Sequence, residues 1–170
     1  MKQEYLMSIP DEDVLVAYRQ EGEGKKNFVY FHGAQDSMES FWQCLAPLIP
    51  KNEYRLTAFN YPGSGDSPRR VHGRHSIEWL AEVAWKLLTI LNVRSACLYG
   101  VSLGGFVAAE LAKKHPRDVE AMALQGVFSS SDELCALSKK IDFVRNKLRE
   151  WPKFSFVSLE SFLEVRKLTR

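Results

Sequence analysis

Gly100-Val101-Ser102-Leu103-Gly104-Gly105 is the stretch on which the fold turns. An apolar run, Ala96-Cys97-Leu98-Tyr99, leads into it. A helix-forming run, Phe106 to Ala112, leads out of it. A strand, a G-x-S-x-G turn and a helix, in that order, form a tight elbow that lifts a serine hydroxyl to the top of a sheet. The turn forces the serine into a strained backbone conformation, and the flanking glycines remove side chains that would clash there. An incidental serine in a glycine-rich turn would leave the same hexapeptide. The surroundings therefore have to carry the reading.

Two upstream motifs supply them. Asn27-Phe28-Val29-Tyr30-Phe31 reads as a short apolar strand running into His32-Gly33. Arg55-Leu56-Thr57-Ala58-Phe59 reads as another, running into Asn60-Tyr61-Pro62-Gly63-Ser64-Gly65-Asp66-Ser67. A strand ending in H-G, a strand ending in D-x-P-G-x-G-x-S and then the serine elbow is an order that resembles the α/β-hydrolase superfamily. The resemblance covers roughly residues 1 to 128. Asn60 departs from it, because the family often has aspartate there, but asparagine keeps an acceptor for capping the turn.

Fold class follows from the alternation of elements. Residues 4–9 and 14–19 flank Pro10-Asp11-Glu12-Asp13 and read as a hairpin. Gly22-Glu23-Gly24 breaks the pattern before the strand at Asn27. Met38, Phe41, Trp42, Leu45 and Leu48 predict one apolar helical face over residues 38–49. Ser76 is placed to cap a helix from Ile77 to about Leu91, with a stripe of Leu80, Val83, Ala84, Leu87, Leu88 and Leu91. Ala121 to Phe128 reads as a sixth strand. The expected architecture is α/β: a mostly parallel sheet of about six strands with helices on both faces. Residues 1–128 form the expected core and residues 129–170 a helical segment. In the resembling family, helices at this point form a lid; two amphipathic helices packed on the sheet are the alternative.

The resemblance implies specific roles. Ser102 would be the nucleophile, and the N–H groups of Leu103 and of Ala34 (or Gln35) the oxyanion hole. His32, Gly33, Gly100 and Gly104 would shape the loop and the elbow. A serine hydroxyl needs a base oriented by an acid. In this family the acid and then the histidine follow the serine in the chain. Only His115 does so here. It sits at the far end of the elbow helix, and a rise of ~1.5 Å per residue puts it about 20 Å away. Charge near a helix C-terminus is its expected role. His72 and His75 read as surface residues after the proline-glycine loop. His32 reads as a loop-structuring residue, with a surrogate base as the alternative. For the acid, Asp132 and Glu133 are the candidates, and helix capping explains Asp132 as well.

The 170 residues carry a net charge of +2, with 45% hydrophobic and 26% charged residues. That balance supports one domain with a real core and argues against a basic, nucleic-acid-tracking surface. The chain is nevertheless short for the family, and the seventh and eighth strands with the usual acid and histidine are expected to be absent. The sixth strand would then be an apolar edge, open to a homodimer or to completion in trans. No run is long enough for a membrane span, and no secretory leader is legible. Cys44, Cys97 and Cys135 are odd in number and widely spaced, fitting neither a disulfide framework nor a metal site. A cytoplasmic setting, no metal and no cofactor are the expectations. The function expected is a serine hydrolase acting on a carboxylic ester or related small acyl substrate. The other reading is a non-catalytic binding or interaction module of the same fold. C–C bond hydrolases, lactonases, haloperoxidases, peptidases and thioesterases share these motifs, whereas dehalogenases and most epoxide hydrolases place aspartate at the elbow.

Overall fold

A computed structural model describes residues 4–69 and 75–127. The expected residue 129–170 helices, with Asp132, Glu133 and Cys135, and the position of His72 lie outside the described residues. Six strands form one sheet: β1 (Tyr5–Ile9), β2 (Val14–Glu21), β3 (Lys26–Phe31), β4 (Tyr54–Phe59), β5 (Ala96–Val101) and β6 (Val119–Gln125). Their order is β1-β2-β4-β3-β5-β6. The hairpin pairs β1 with β2, and β2 meets β4, both antiparallel. Beyond that point β4, β3, β5 and β6 are all parallel. The mostly parallel six-stranded architecture is therefore as the alternation of elements implies.

Side chains alternate across this sheet with the period of two that strand geometry imposes. On β3, Val29 and Phe31 enter the core shared with helices α2 (Ile77–Ile90) and α3 (Leu103–Lys114). Phe28 and Tyr30 point the other way and stack on Phe41, with ring centroids 5.9 and 5.0 Å apart. Phe41 follows the short helix α1 (Met38–Ser40). Helical segments thus cover both faces. Both faces of β3 are buried from Asn27 onward, which explains the apolar run Phe28–Phe31.

Helix α2 begins where its cap predicts. Ser76 Oγ accepts the Trp79 N–H at 3.2 Å, and Leu80, Val83, Ala84, Leu87 and Leu88 are buried along one face. The segment expected as a single helix over 38–49 is different. It divides into α1, a wide turn over Phe41–Leu45 and a tight turn over Ala46–Leu48. The reason is Pro47, which has no N–H to continue an α-helical ladder. The wide turn, closed by Ala46 N–H onto Phe41 O, keeps Phe41 and Trp42 in the core. Leu48 is left 58% exposed. The sixth strand also differs, starting at Val119 and ending at Gln125 rather than running to Phe128, because Gly126 turns the chain with φ +65°.

Helix α3 lies close against the sheet because Gly104 has no side chain. A Cβ there would overlap the Phe31 and His32 carbonyls at the end of β3. Those carbonyls are backbone and cannot swing aside. Gly104→Ala should therefore cost about 3 kcal/mol or more, at the upper end of overpacking penalties. Urea denaturation of the variant beside wild type checks this, and a loss below about 1 kcal/mol would mean that α3 can shift off the sheet.

Candidate functional site at the β5–α3 elbow

Ser102 joins β5 to α3 with φ 51° and ψ −117°, a conformation that L-residues seldom adopt. The serine is exposed, and its side chain makes no capping bond to the helix it precedes. Its backbone is held on both sides. Ser102 N–H donates to Gln125 O of β6 at 2.7 Å, and Ser102 O accepts from Gly105 N at 2.9 Å. Gly100 is needed one turn away: a Cβ there would stand 2.6 Å from Gly104 O and from Gly105 Cα. Leu103 is the first residue of α3, so its N–H has no earlier helical carbonyl to bond.

The loop after β3 lies alongside. A Cβ on Gly33 would sit 3.7 Å from Ser102 Cβ and 3.4 Å from Val101 O. Gly33 and the elbow are thus neighbours, although 69 positions separate them in the chain. Ala34 and Gln35 are exposed beside it. They form the middle of a turn closed by Asp36 N–H onto Gly33 O at 3.3 Å, and Gln35 is left-handed with φ 62°. The structure therefore brings together Ser102, Leu103, Gly33 and the Ala34–Gln35 turn.

His32 anchors that loop from below. Its ring is 1% exposed and lies 4.3 Å from the Tyr61 ring, centroid to centroid. Nε2 accepts the Tyr61 N–H at 3.2 Å, which leaves Nδ1 to donate to Gly33 O at 2.8 Å. Both ring nitrogens are engaged. Burial pushes its pKa below 6.5, against the raising effects of the Gly33 carbonyl and of Asp36. The alternative of His32 as a surrogate base is thereby disfavoured by its partners. The other described histidines are elsewhere. His75 stacks on Trp79 at the start of α2, at 4.9 Å. His115 caps α3 and stacks on Trp85 at 4.1 Å. The ring of His115 is thus packed on Trp85 of α2 at the terminus of α3.

The loop after β4 completes the frame. Asn60 is buried, and its Oδ1 accepts the Met38 N–H at 2.7 Å. The acceptor expected at this position is present, but it caps α1 rather than its own turn. Ser67 Oγ accepts the Ala17 N–H and donates to Asn60 O, both at 2.8 Å, tying the loop back to β2. Sequence reasoning missed Asp36. Its Oδ2 accepts from Ser40 Oγ at 2.9 Å and from Tyr30 OH at 3.4 Å. The only sequence signal was Asp36-Ser37 as a helix start, with Ser37 Oγ accepting the Glu39 N–H. Among the described residues, no group of three His, Cys, Asp or Glu could hold a metal ion, and no helix is long and apolar enough to cross a membrane.

The chain belongs to the α/β-hydrolase fold family, whose sequence profile matches residues 26–155. Over 103 residues it is 31% identical to the pimeloyl-(acyl-carrier protein) methyl ester esterase of Aeromonas hydrophila, which covers 59% of this chain and 39% of that protein. Over 96 residues it is 30% identical to a putative non-heme haloperoxidase of Mycobacterium phage D29, covering 56% of this chain and 34% of that one. Among solved structures, an N-acyl homoserine lactone degrading enzyme superposes with a TM-score of 0.61 at 25% identity, over 68% of this chain and 43% of its own. A bacterial membrane phospholipase A superposes at 0.67 and 26% identity, over 81% and 45%. The chain spans 29–39% of the length of the first curated relatives it matches.

The burial of a neutral His32 has a consequence in pH. Below about 6.5 the unfolded chain takes up a proton that the folded chain does not. Stability contributed by the neutral ring is complete above pH 6.5 and is lost as pH falls toward the folded value. The slope is at most ~1.4 kcal/mol per pH unit. Urea midpoints between pH 7.5 and 5.5 should fall for wild type and fall less steeply for His32→Gln. Equal slopes would show that the folded ring takes up its proton over the same pH range as the unfolded one.

Proposed function

We propose that this protein is a serine hydrolase acting on carboxylic esters or related acyl substrates through Ser102. The observation that carries this reading is the backbone of Ser102, held at φ 51° and ψ −117° with its side chain exposed and unused as a helix cap. Strain of this kind costs on the order of 1–3 kcal/mol and persists only where the surroundings enforce it. A helix start needs no such conformation, whereas a nucleophile aimed out of the fold does.

Ser102 Oγ attacks the acyl carbonyl carbon as its proton passes to a base. The carbonyl oxygen becomes the oxyanion and is met by the N–H groups of Leu103 and of Ala34 or Gln35. The intermediate collapses, the C–O bond to the leaving alcohol breaks, and that alcohol takes the proton. Water then attacks the acyl-enzyme and frees Ser102. His32 and Gly33 shape the loop that presents the second donor, and Gly100 and Gly104 permit the elbow. The acid and base come from residues outside those described, or from a second copy meeting β6. The ester hydrolase among the relatives supports an acyl substrate, and a small molecule rather than a nucleic acid suits the near-neutral charge.

A second reading rests on one observation: among the described histidines, none stands free beside Ser102. A binding module of this fold would keep the elbow without turnover. Hydrolysis of p-nitrophenyl butyrate by the full chain and by Ser102→Ala separates the two. The serine reading expects the substitution to remove at least about 10³-fold of the rate. Equal non-zero rates would place turnover elsewhere than Ser102, and no activity in a folded wild type would mean a fragment of an enzyme or a module without turnover. If the base arrives through β6 from a second copy, the rate per chain should rise with protein concentration between about 1 and 50 μM, as association by mass action requires. A concentration-independent rate would place the base within one chain.

A further inference from the structure

The turn that carries Ala34 and Gln35 is a strained one. Gln35 stands at φ 62°, in the left-handed region that glycine or asparagine would occupy at little cost. A glutamine there is held by what surrounds it. One end of the turn is fixed by Gly33 O, which accepts both His32 Nδ1–H and Asp36 N–H. The other end is fixed by the Asp36 side chain. Ser40 Oγ stands 2.9 Å and Tyr30 OH 3.4 Å from the same carboxylate oxygen. Tyr30 belongs to β3 and Ser40 to α1, so the carboxylate ties the turn to the sheet and to the helix that follows. Burial raises the Tyr30 phenol to about 12, so that group remains a donor throughout the neutral range.

We infer that Asp36 is a positioning residue: clamped by Tyr30 and Ser40, it holds the Ala34–Gln35 amides in the one orientation that faces the oxygen above Ser102. The inference rests on the serine-hydrolase reading, because it gives those amides something to face. Asp36 touches no substrate atom. It acts through the turn, by keeping Gln35 from relaxing to the negative φ that its side chain prefers. The loss on removing it belongs to the transition state, where the oxyanion forms, and not to substrate binding.

The test uses the full chain, with p-nitrophenyl butyrate as probe and Ser102→Ala as the reference for background. Asp36→Ala should lower kcat roughly 10- to 100-fold, below the cost of losing an oxyanion donor outright, with KM within about twofold. Asp36→Asn keeps one acceptor oxygen for both hydroxyls and should recover kcat to within about threefold. A merely structural carboxylate would change kcat and KM together, or neither. Amide order parameters give a readout independent of turnover. Ala34 and Gln35 should fall from about 0.85, rigid, to below about 0.6 in Asp36→Ala. Unchanged order parameters overturn the clamp, as does an unchanged kcat in an active wild type, or an Asp36→Asn no better than Asp36→Ala. Equal turnover by wild type and Ser102→Ala overturns the serine-hydrolase reading and the catalytic part of this inference with it.

Discussion

Everything near the site depends on one backbone demand: a serine held at φ 51° and ψ −117° where β5 ends and α3 begins. No side chain can supply that conformation. It is enforced by hydrogen bonds to Gln125 O and from Gly105 N, and by the close seat of α3 on the sheet. Glycine at 104 lets the helix approach the end of β3, and glycine at 100 lets the strand pass under it. The same approach brings the loop after β3 beside the serine. The elbow and the turn at Ala34–Gln35 are thus one arrangement, reached by packing two parallel strands and one helix.

Burial sorts the polar groups of this frame by purpose. His32 has both nitrogens bonded inside the fold and serves the loop above it. Asn60 accepts the first N–H of α1, while its Nδ2 is buried with no partner among the described residues. An orphaned buried donor costs roughly 1–3 kcal/mol, so an amide at this position is held against that cost. Ser67 spans two backbones with a single hydroxyl. The loops after β3 and β4 are bonded to each other below the surface, the elbow after β5 lies against the first, and Ala34, Gln35 and Ser102 stay exposed. That rigidity from beneath is what a site built on strand ends requires.

The fold was legible because its signals are local. The glycines around Ser102, the short apolar runs of β3 and β4, and Ser76 before an apolar stripe each point to one structure, and each formed. The helix expected over 38–49 was misread because its apolar spacing is real while Pro47 denies it the ladder. The extent of β6 was misread because apolar composition does not reveal where Gly126 turns. The candidate site was legible only in part. Ser102, Gly33 and Gly104 stand in motifs, but the contacts of Asp36 with Tyr30 and Ser40 depend on the direction in which a strand and a helix turn their side chains. Those contacts carry no spacing signal. The partners of His32 were equally hidden, since a histidine that orients a loop and one that takes a proton are the same letter.

The bond from Ser102 N–H to Gln125 O carries a mechanical consequence. Gln125 closes β6, and its side-chain amide is also bonded to the Tyr99 hydroxyl on β5. Among the described residues β6 has a neighbour only on the β5 side. A strand laid along its open side would add a second set of hydrogen bonds to the one that supports the serine. Tension or slippage in that outer ladder would reach the serine through a single carbonyl. Among the described residues the outermost strand thus carries the support of the serine as well as the border of the sheet.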